Sequence, residues 1–245
     1  DTMSNPKTLK SLKLKYYTGV LFLMPADSSE VWNTCPMASL GCKMSCLDTA
    51  GQGGIGINPD TGLNVPHGAR LMRLAMLMLR RREFFTMLTD EIDRIIKTAA
   101  KNDLTPAIRL NGVSDLRWEN ITIPDIGKSI FEIFPTVQFY DYSKWSVQAR
   151  DVAYNQIPNY DVTLSYSGDN LDDVAYALEN NHRVAVVFNI PAHSRTQALP
   201  TTYSINGAVY DVLTHNGKSI GMDRGAPRAI QGRTDRREFC EQFYR

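Results

Sequence analysis

The sequence predicts an α/β chain: an incomplete TIM-like barrel or an open parallel sheet of about five to six strands, with a long cysteine-containing loop after the first strand. Three observations carry that expectation. Short runs rich in β-branched and aromatic residues recur along the chain, and from the second onward their starts lie about 22 to 31 residues apart, close to one βα unit. Segments of helical apolar periodicity lie between them. One run, V-A-V-V-F (184–188), is unbroken, as a strand covered on both faces should be.

Taken in order, Y-Y-T-G-V-L-F-L-M (16–24) ends at Pro25 and suits a buried strand. Residues 26–66 are rich in Gly, Pro, Asn, Asp and Ser, and an irregular stretch of that length inside one domain is usually functional. Residues 67–100 read as helix throughout. A single straight helix there would run about 50 Å at roughly 1.5 Å per residue. A globule of this length has a radius of gyration of about 18 Å, so a break is expected near Arg80–Glu83. The first part is apolar nearly all round. The second places Phe84, Phe85, Leu88, Ile92, Ile95, Ile96 and Ala99 on one stripe.

The later strands are P-A-I-R-L-N (106–111), V-Q-F-Y-D-Y (137–142), V-T-L-S-Y-S (162–167) and V-A-V-V-F-N (184–189), with helices expected at about 124–134, 144–154 and 170–181. A-V-Y-D-V-L-T-H-N-G-K-S-I-G (208–221) reads as a hairpin turning at Asn216-Gly217. The expected organisation is one domain over 1–245, with 26–66 as its cysteine- and glycine-rich loop and 200–245 as a hairpin and C-terminal extension.

Composition narrows the function classes. Net charge is +1, so no global field favours nucleic acid. Lys7, Lys10, Lys13 and Lys15 form one local basic arm and Arg224–Arg237 another; solvated surface is the plainer reading of both. No run reaches the roughly 18 apolar residues of a membrane span, since L-M-R-L-A-M-L-M-L (71–79) is short and carries Arg73. No N-terminal signal pattern stands out, and four cysteines are too few for a disulfide scaffold, which fits an intracellular protein.

Three of those four cysteines fall within twelve residues, in N-T-C-P-M-A-S-L-G-C-K-M-S-C-L (33–47). Cys35, Cys42 and Cys46 are spaced C-x6-C-x3-C. Zinc sites prefer closer pairs, and a zinc ion here needs a fourth ligand, for which His67 and Cys240 are the candidates. An iron–sulfur cluster tolerates wider spacing because each thiolate takes its own iron. A loop with no metal is the third reading. Because the loop follows the first strand, it belongs at the C-terminal face, where α/β proteins of this type place their sites.

Polar residues leave the other strands on that same face. They are Asn111, Ser114 and Asp115; then Asp141, Ser143 and Lys144; then Ser165, Ser167 and Asp169; then Asn189 and His193. Asn111, Asp115, Asp141 and Ser165 are the candidates for holding a small cofactor, although any one of them alone is ordinary loop chemistry. An ion pair of Asp115 or Glu119 with Arg109 or Arg117 is the plain alternative. Trp32, Trp118 and Trp145 either shield a centre from water or fill core.

Other motifs are weaker. G-Q-G-G-I-G (51–56) matches a dinucleotide fingerprint by letters, but a cysteine loop precedes it and N-P-D-T-G follows, where a strand and a helix are required. Its amides are better suited to hydrogen-bonding cluster sulfurs. There is no G-x-S-x-G elbow, no Walker loop and no H-E-x-x-H, and His67, His182, His193 and His215 are scattered.

N-T-C-P-M-A-S-L-G-C-K-M-S-C-L-D-T-A-G-Q-G, A-I-R-L-N-G-V-S-D-L-R-W-E and F-P-T-V-Q-F-Y-D-Y-S-K, in that order, resemble the gene product 88 family of bacteriophage proteins over roughly residues 16–190. The resemblance implies a phage-encoded protein working in the cytoplasm of a bacterial host, with a metal centre. It supplies no reaction. The layout also resembles radical S-adenosylmethionine enzymes, which pair a partial barrel with a three-cysteine loop. Their signature is C-x3-C-x2-C, however, and N-G-V-S-D stands here in place of their glycine-rich acidic turn. S-adenosylmethionine is therefore allowed by the layout and disfavoured by the motif.

The expected function is an iron–sulfur protein, with a [4Fe–4S] cluster on Cys35, Cys42 and Cys46, serving electron transfer or radical chemistry with a redox partner or small-molecule substrate. The alternatives are a zinc-stabilised binding module touching nucleic acid through its lysine arm, and a phage structural or host-takeover protein whose cysteines merely organise a loop; the host cytoplasm is the expected location, with the virion as its alternative.

Overall fold

The computed structural model describes residues 10–44, 46–49, 55–58, 60, 64–186, 200, 202–212 and 228–231. Its framework is one sheet whose strands run in the order β1-β2-β3-β4-β5-β8-β7-β6. β1 (Tyr16–Val20), β2 (Thr105–Arg109), β3 (Gln138–Ser143), β4 (Tyr160–Ser165) and β5 (Arg183–Val186) are parallel and sequential. β6 (Thr202–Ile205), β7 (Ala208–Val212) and β8 (Arg228–Gln231) extend that sheet antiparallel from β5. The sheet is open, not closed into a barrel. Among the described residues no helix is long and apolar enough to cross a membrane.

The helices follow from local chemistry. α1 (Leu40–Met44) lies in the cysteine loop. α2 (Val65–Leu79) starts where Asn64 accepts the His67 backbone N–H, with a proline in its first turn, the arrangement a helix start favours. α3 (Arg81–Lys101) follows after a single non-helical residue, Arg80, at φ −136° and ψ 58°. The break therefore falls where chain length demanded one. α4 (Ile130–Ile133) is capped reciprocally by Ser129 and Glu132. α5 (Leu171–Glu179) buries Val174, Ala175, Ala177 and Leu178.

The apolar stripe of α3 decides which face of the sheet it covers. A Cβ at Gly19 would meet Ile95 of that helix, and Gly19 registers with Ile108 of β2. Ile108 registers with Phe139, and Phe139 with Tyr160, so these residues share the helix-covered face. There Phe131 of α4 meets Phe139 edge-on at 5.0 Å and stacks on Tyr160 at 4.3 Å between ring centroids. Phe84, Phe85, Ile92, Leu110, Trp118 and Leu164 complete that core. Burying one such side chain contributes about 1.5–3 kcal/mol.

Several expected elements are shorter or elsewhere. The strand expected over 16–24 ends at Val20, although Leu21 still donates to Arg109 O at 2.8 Å and accepts from Gly112 N at 2.9 Å. A helix over 124–134 is reduced to α4, because Pro124 is followed by a turn with Asp125 and Gly127 at positive φ. The segment 144–154 holds a 3-10 turn at Gln148–Arg150 and a π-turn at Val152–Gln156, which turns Arg150 inward.

A hairpin that the sequence reading did not place precedes the expected one. Ala208–Val212 pairs antiparallel with Thr202–Ile205 across Asn206-Gly207, and its end pairs antiparallel with β8. Both turn residues have positive φ, 50° and 83°, as a type I′ turn requires. The other Asn-Gly pair, 216–217, lies outside the described residues, as do Gly53, Asn189, His193, Cys240, Lys7 and the basic tail on either side of Arg228–Gln231.

Candidate functional site

A buried polar network closes the C-terminal ends of β2, β3 and β4. Asn111 is its hub. Its backbone N–H donates to Asp141 Oδ1 at 2.8 Å, and its amide donates to Asp141 Oδ2 at 3.2 Å and Leu116 O at 3.0 Å. Its Oδ1 accepts from Ser114 Oγ, Leu116 N and Trp118 Nε1. That fills the hydrogen-bonding capacity of one amide. Asp141 also accepts from Tyr160 at 2.9 Å. It lies two residues beyond Phe139 and therefore on the helix-covered face of the sheet.

Arg150 supplies the charge. Its side chain is fully buried, makes a bidentate pair with Glu119 at 2.8 and 2.6 Å, donates to Tyr160 Oη at 3.1 Å and lies 3.5 Å from Asp115 Oδ1. The ion-pair partner of Asp115 and Glu119 is thus Arg150, not Arg109 or Arg117. Burial alone would lower the Arg150 pKa, but Tyr160, Glu119 and Asp115 together hold it above its ordinary range. Burial raises Asp115 despite Arg150, and pushes Asp141 up to about 6 despite Arg109, Asn111, Arg150 and Tyr160.

The cysteine loop is tied to this network at its N-terminal end. Asp115 N donates to Thr34 O at 2.8 Å, and the buried Thr34 hydroxyl donates to Met24 O at 2.6 Å. Next to it, the Cys35 thiol accepts from Ala26 N at 3.3 Å and donates to Val113 O at 3.5 Å. Gly112 makes the close passage here: a Cβ on it would sit 2.7 Å from Leu21 O. Beyond Cys35 the loop loosens. α1 has no buried residue, and Leu40 and Met44 are 74% and 80% exposed.

Cys35, Cys42 and Cys46 are each partly buried. Burial pushes Cys46 up to about 11; the charge of Cys42 adds to that rise, while Arg70 and Lys144 oppose it. Burial likewise pushes Cys35 up to about 11, with Cys46 among the smaller raising influences. Cys46 is therefore within electrostatic reach of both other cysteines and of two cations. Among the described residues no three His, Cys, Asp or Glu side chains are grouped closely enough to hold one metal ion.

The far end of the loop is pinned to α2. His67 Nε2 lies 2.7 Å from Asp48 Oδ2, both side chains nearly fully buried, and Arg70 binds the Asp48 carboxylate and its carbonyl. His67 Nδ1 is buried without a hydrogen-bond partner.

Of the four candidate cofactor residues, Asn111, Asp115 and Asp141 meet in the network behind the loop. Ser165 stands apart, accepting from Lys144 Nζ at 3.3 Å. Trp118 fills core, fully buried, and Trp145 donates to Asp115 O at 3.2 Å beneath the Arg117 guanidinium. Arg150, Arg70 and Asp48 did not stand out in the sequence. An Arg within an interrupted apolar stretch, or an Asp two residues after a cysteine, carries no local signal of its own.

A family model described as gene product 88 matches residues 2–242, beyond both ends of the resembling blocks, and the chain belongs to that family. No curated protein and no solved structure matches it.

Proposed function

We propose that this bacteriophage gene product 88 protein is an iron–sulfur protein of the infected host's cytoplasm, holding one cluster, of the [4Fe–4S] type, through Cys35, Cys42 and Cys46. The observation that carries the reading is three partly buried cysteines within twelve residues of the loop after β1, with Arg70 and Lys144 close enough to act on Cys46. Those two cations favour the thiolate form that metal binding requires.

The wide C-x6-C-x3-C spacing favours a cluster over a single ion. A tetrahedral zinc with Zn–S near 2.3 Å would need its sulfurs about 3.8 Å apart. The thiols do not form such a group. In a cluster each cysteine meets a different iron, so the sulfurs need not converge on one point. When bound, the cluster would supply one-electron chemistry. The chain's own part is to hold three thiolates at the strand ends, to anchor Cys35 against Val113 and Ala26, and to offset negative charge with Arg70 and Lys144.

Anaerobically purified protein should contain iron and acid-labile sulfide and absorb broadly near 400 nm. The triple Cys→Ser variant at 35, 42 and 46 should lose all three signals and keep its far-UV circular dichroism. Wild-type protein that holds zinc and no sulfide would end the reading.

A further inference from the structure

We propose that the outer face of α2 docks a second copy of this chain, the two helices packing antiparallel about Met72; this goes beyond the iron–sulfur reading and stands apart from it. α2 buries His67, Leu74 and Leu77 on one side. At about 100° per residue the opposite side carries Val65, Met72 and Leu79, one heptad apart, with Gly68, Ala69, Ala75 and Met76 between them. Val65, Met72 and Leu79 are 87%, 64% and 72% exposed. A contiguous apolar stripe on the solvent side of a helix marks an interaction surface. The helix has no carboxylate, and its two arginines turn back on their own chain, Arg70 to Asp48 and Arg73 to the Phe22 carbonyl. The stripe is therefore uncharged from end to end.

The order of the stripe selects its occupant. Seven residues either side of Met72 stand Val65 and Leu79, four either side Gly68 and Met76, three either side Ala69 and Ala75. In an antiparallel pair centred on Met72 these become facing residues. Val65 then meets the second copy's Leu79, and Met76 enters the gap over Gly68, where an added Cβ would find no atom within 4 Å. The small residues allow the axes to approach to about 8–10 Å, and the heptad spacing suits the shallow crossing of coiled-coil packing.

The ends of the helix agree with that pairing. Ile55 is tied to the helix start, since Asn64 Nδ2 donates to its carbonyl at 2.9 Å, and both Ile55 and Ile57 are exposed. Exposed Asp60 stands ahead of the helix and exposed Arg80 closes it, so antiparallel packing brings unlike charges towards each other at both ends. Covering Val65, Met72, Leu79, Ile55 and Ile57 on both copies removes on the order of 1,000 Å² from water, at roughly 60–120 Å² per large apolar side chain. That is the low end for a specific interface, so the dimer is reversible and concentration-dependent.

Full-length protein should sediment as a monomer at low micromolar and as a dimer at high micromolar concentration. M72R sets two cations against each other on the two-fold axis; it should stay monomeric throughout and keep its far-UV circular dichroism and melting temperature, because Met72 is exposed. Cross-linking reads the register. Under mild oxidation M72C should link to itself through position 72, as mass spectrometry of the joined peptide would show. V65C and L79C should link to each other in a mixture faster than either links to itself. Should M72R misfold, the cross-links decide alone. An M72R variant that still dimerises, or links that ignore this register, overturns the proposal. So does wild-type protein that is monomeric at every concentration, and if M72R then also lowers its melting temperature, the chain's own residues cover the stripe.

Discussion

The strand-end network and the cysteine loop lie side by side and are built oppositely. Behind the loop, Asn111, Asp115, Glu119, Asp141, Arg150 and Tyr160 are buried and bonded to one another across three strands. In front of them, α1 buries none of its residues and exposes Leu40 and Met44. The loop is fastened near its ends, by Thr34 and Cys35 at one side and by Asp48 with His67 and Arg70 at the other, and Lys43 of α1 pairs with Asp27 at the surface. The contrast separates two tasks. The network fixes where the loop begins without any ligand, while α1 farther along the loop contributes no buried side chain to the core.

The largest break in that contrast should come from Arg150→Met. It leaves Glu119 and Asp115 as buried carboxylates without their cation, a loss of about 3–5 kcal/mol that urea unfolding would register. A variant as stable as wild type would mean the network is held by packing alone.

Asp141 gives a pH signature of the same network. Its folded value is about 6 against an ordinary 3.8, so between those values the native state binds more protons than the unfolded chain. Its contribution therefore makes stability fall as pH rises from about 4 to about 6, by roughly 2–3 kcal/mol in all. Asp141→Asn should remove that part of the slope, read from melting temperatures across the window; an unchanged slope would place the titration elsewhere.

Gly112→Ala pushes a methyl against the Leu21 carbonyl and the Phe22 ring, beside the turn that holds Thr34 and Cys35. Overpacking of this kind costs about 1–3 kcal/mol. Partial proteolysis should then cut the cysteine loop earlier than in wild type. The smallest effect belongs to the loop's exposed side: Leu40→Ser should change metal-free stability by less than about 0.5 kcal/mol. A loss comparable to that of Arg150→Met would show the loop to be packed as tightly as the network.

The parallel sheet was legible because each strand is a compact apolar run and because chain length forced the α2–α3 break to within a residue or two of Arg80. The hairpin across Asn206-Gly207 was not anticipated, because 202–205 is a short polar strand beside a second Asn-Gly pair, 216–217, that carries the same turn signal. The strand-end polar residues were legible as a group. Which face each one takes was not, since a single residue's step reverses it: Asp141 follows Tyr140 but shares the side of Phe139. The partner of Asp115 and Glu119 lay some 30 residues away in Arg150, beyond the reach of local spacing.

The sequential order of β1 to β5 sets a length scale for anything bound along the sheet's C-terminal edge. With no order reversal there is no central crevice, and neighbouring strands about 4.8 Å apart place the exits of β1 and β5 about 19 Å from each other. An inorganic group seated in the loop after β1 spans only a fraction of that. A molecule touching both that group and the exit of β5 would have to be about as long as a dinucleotide, and each of its ends would meet a different stretch of the chain.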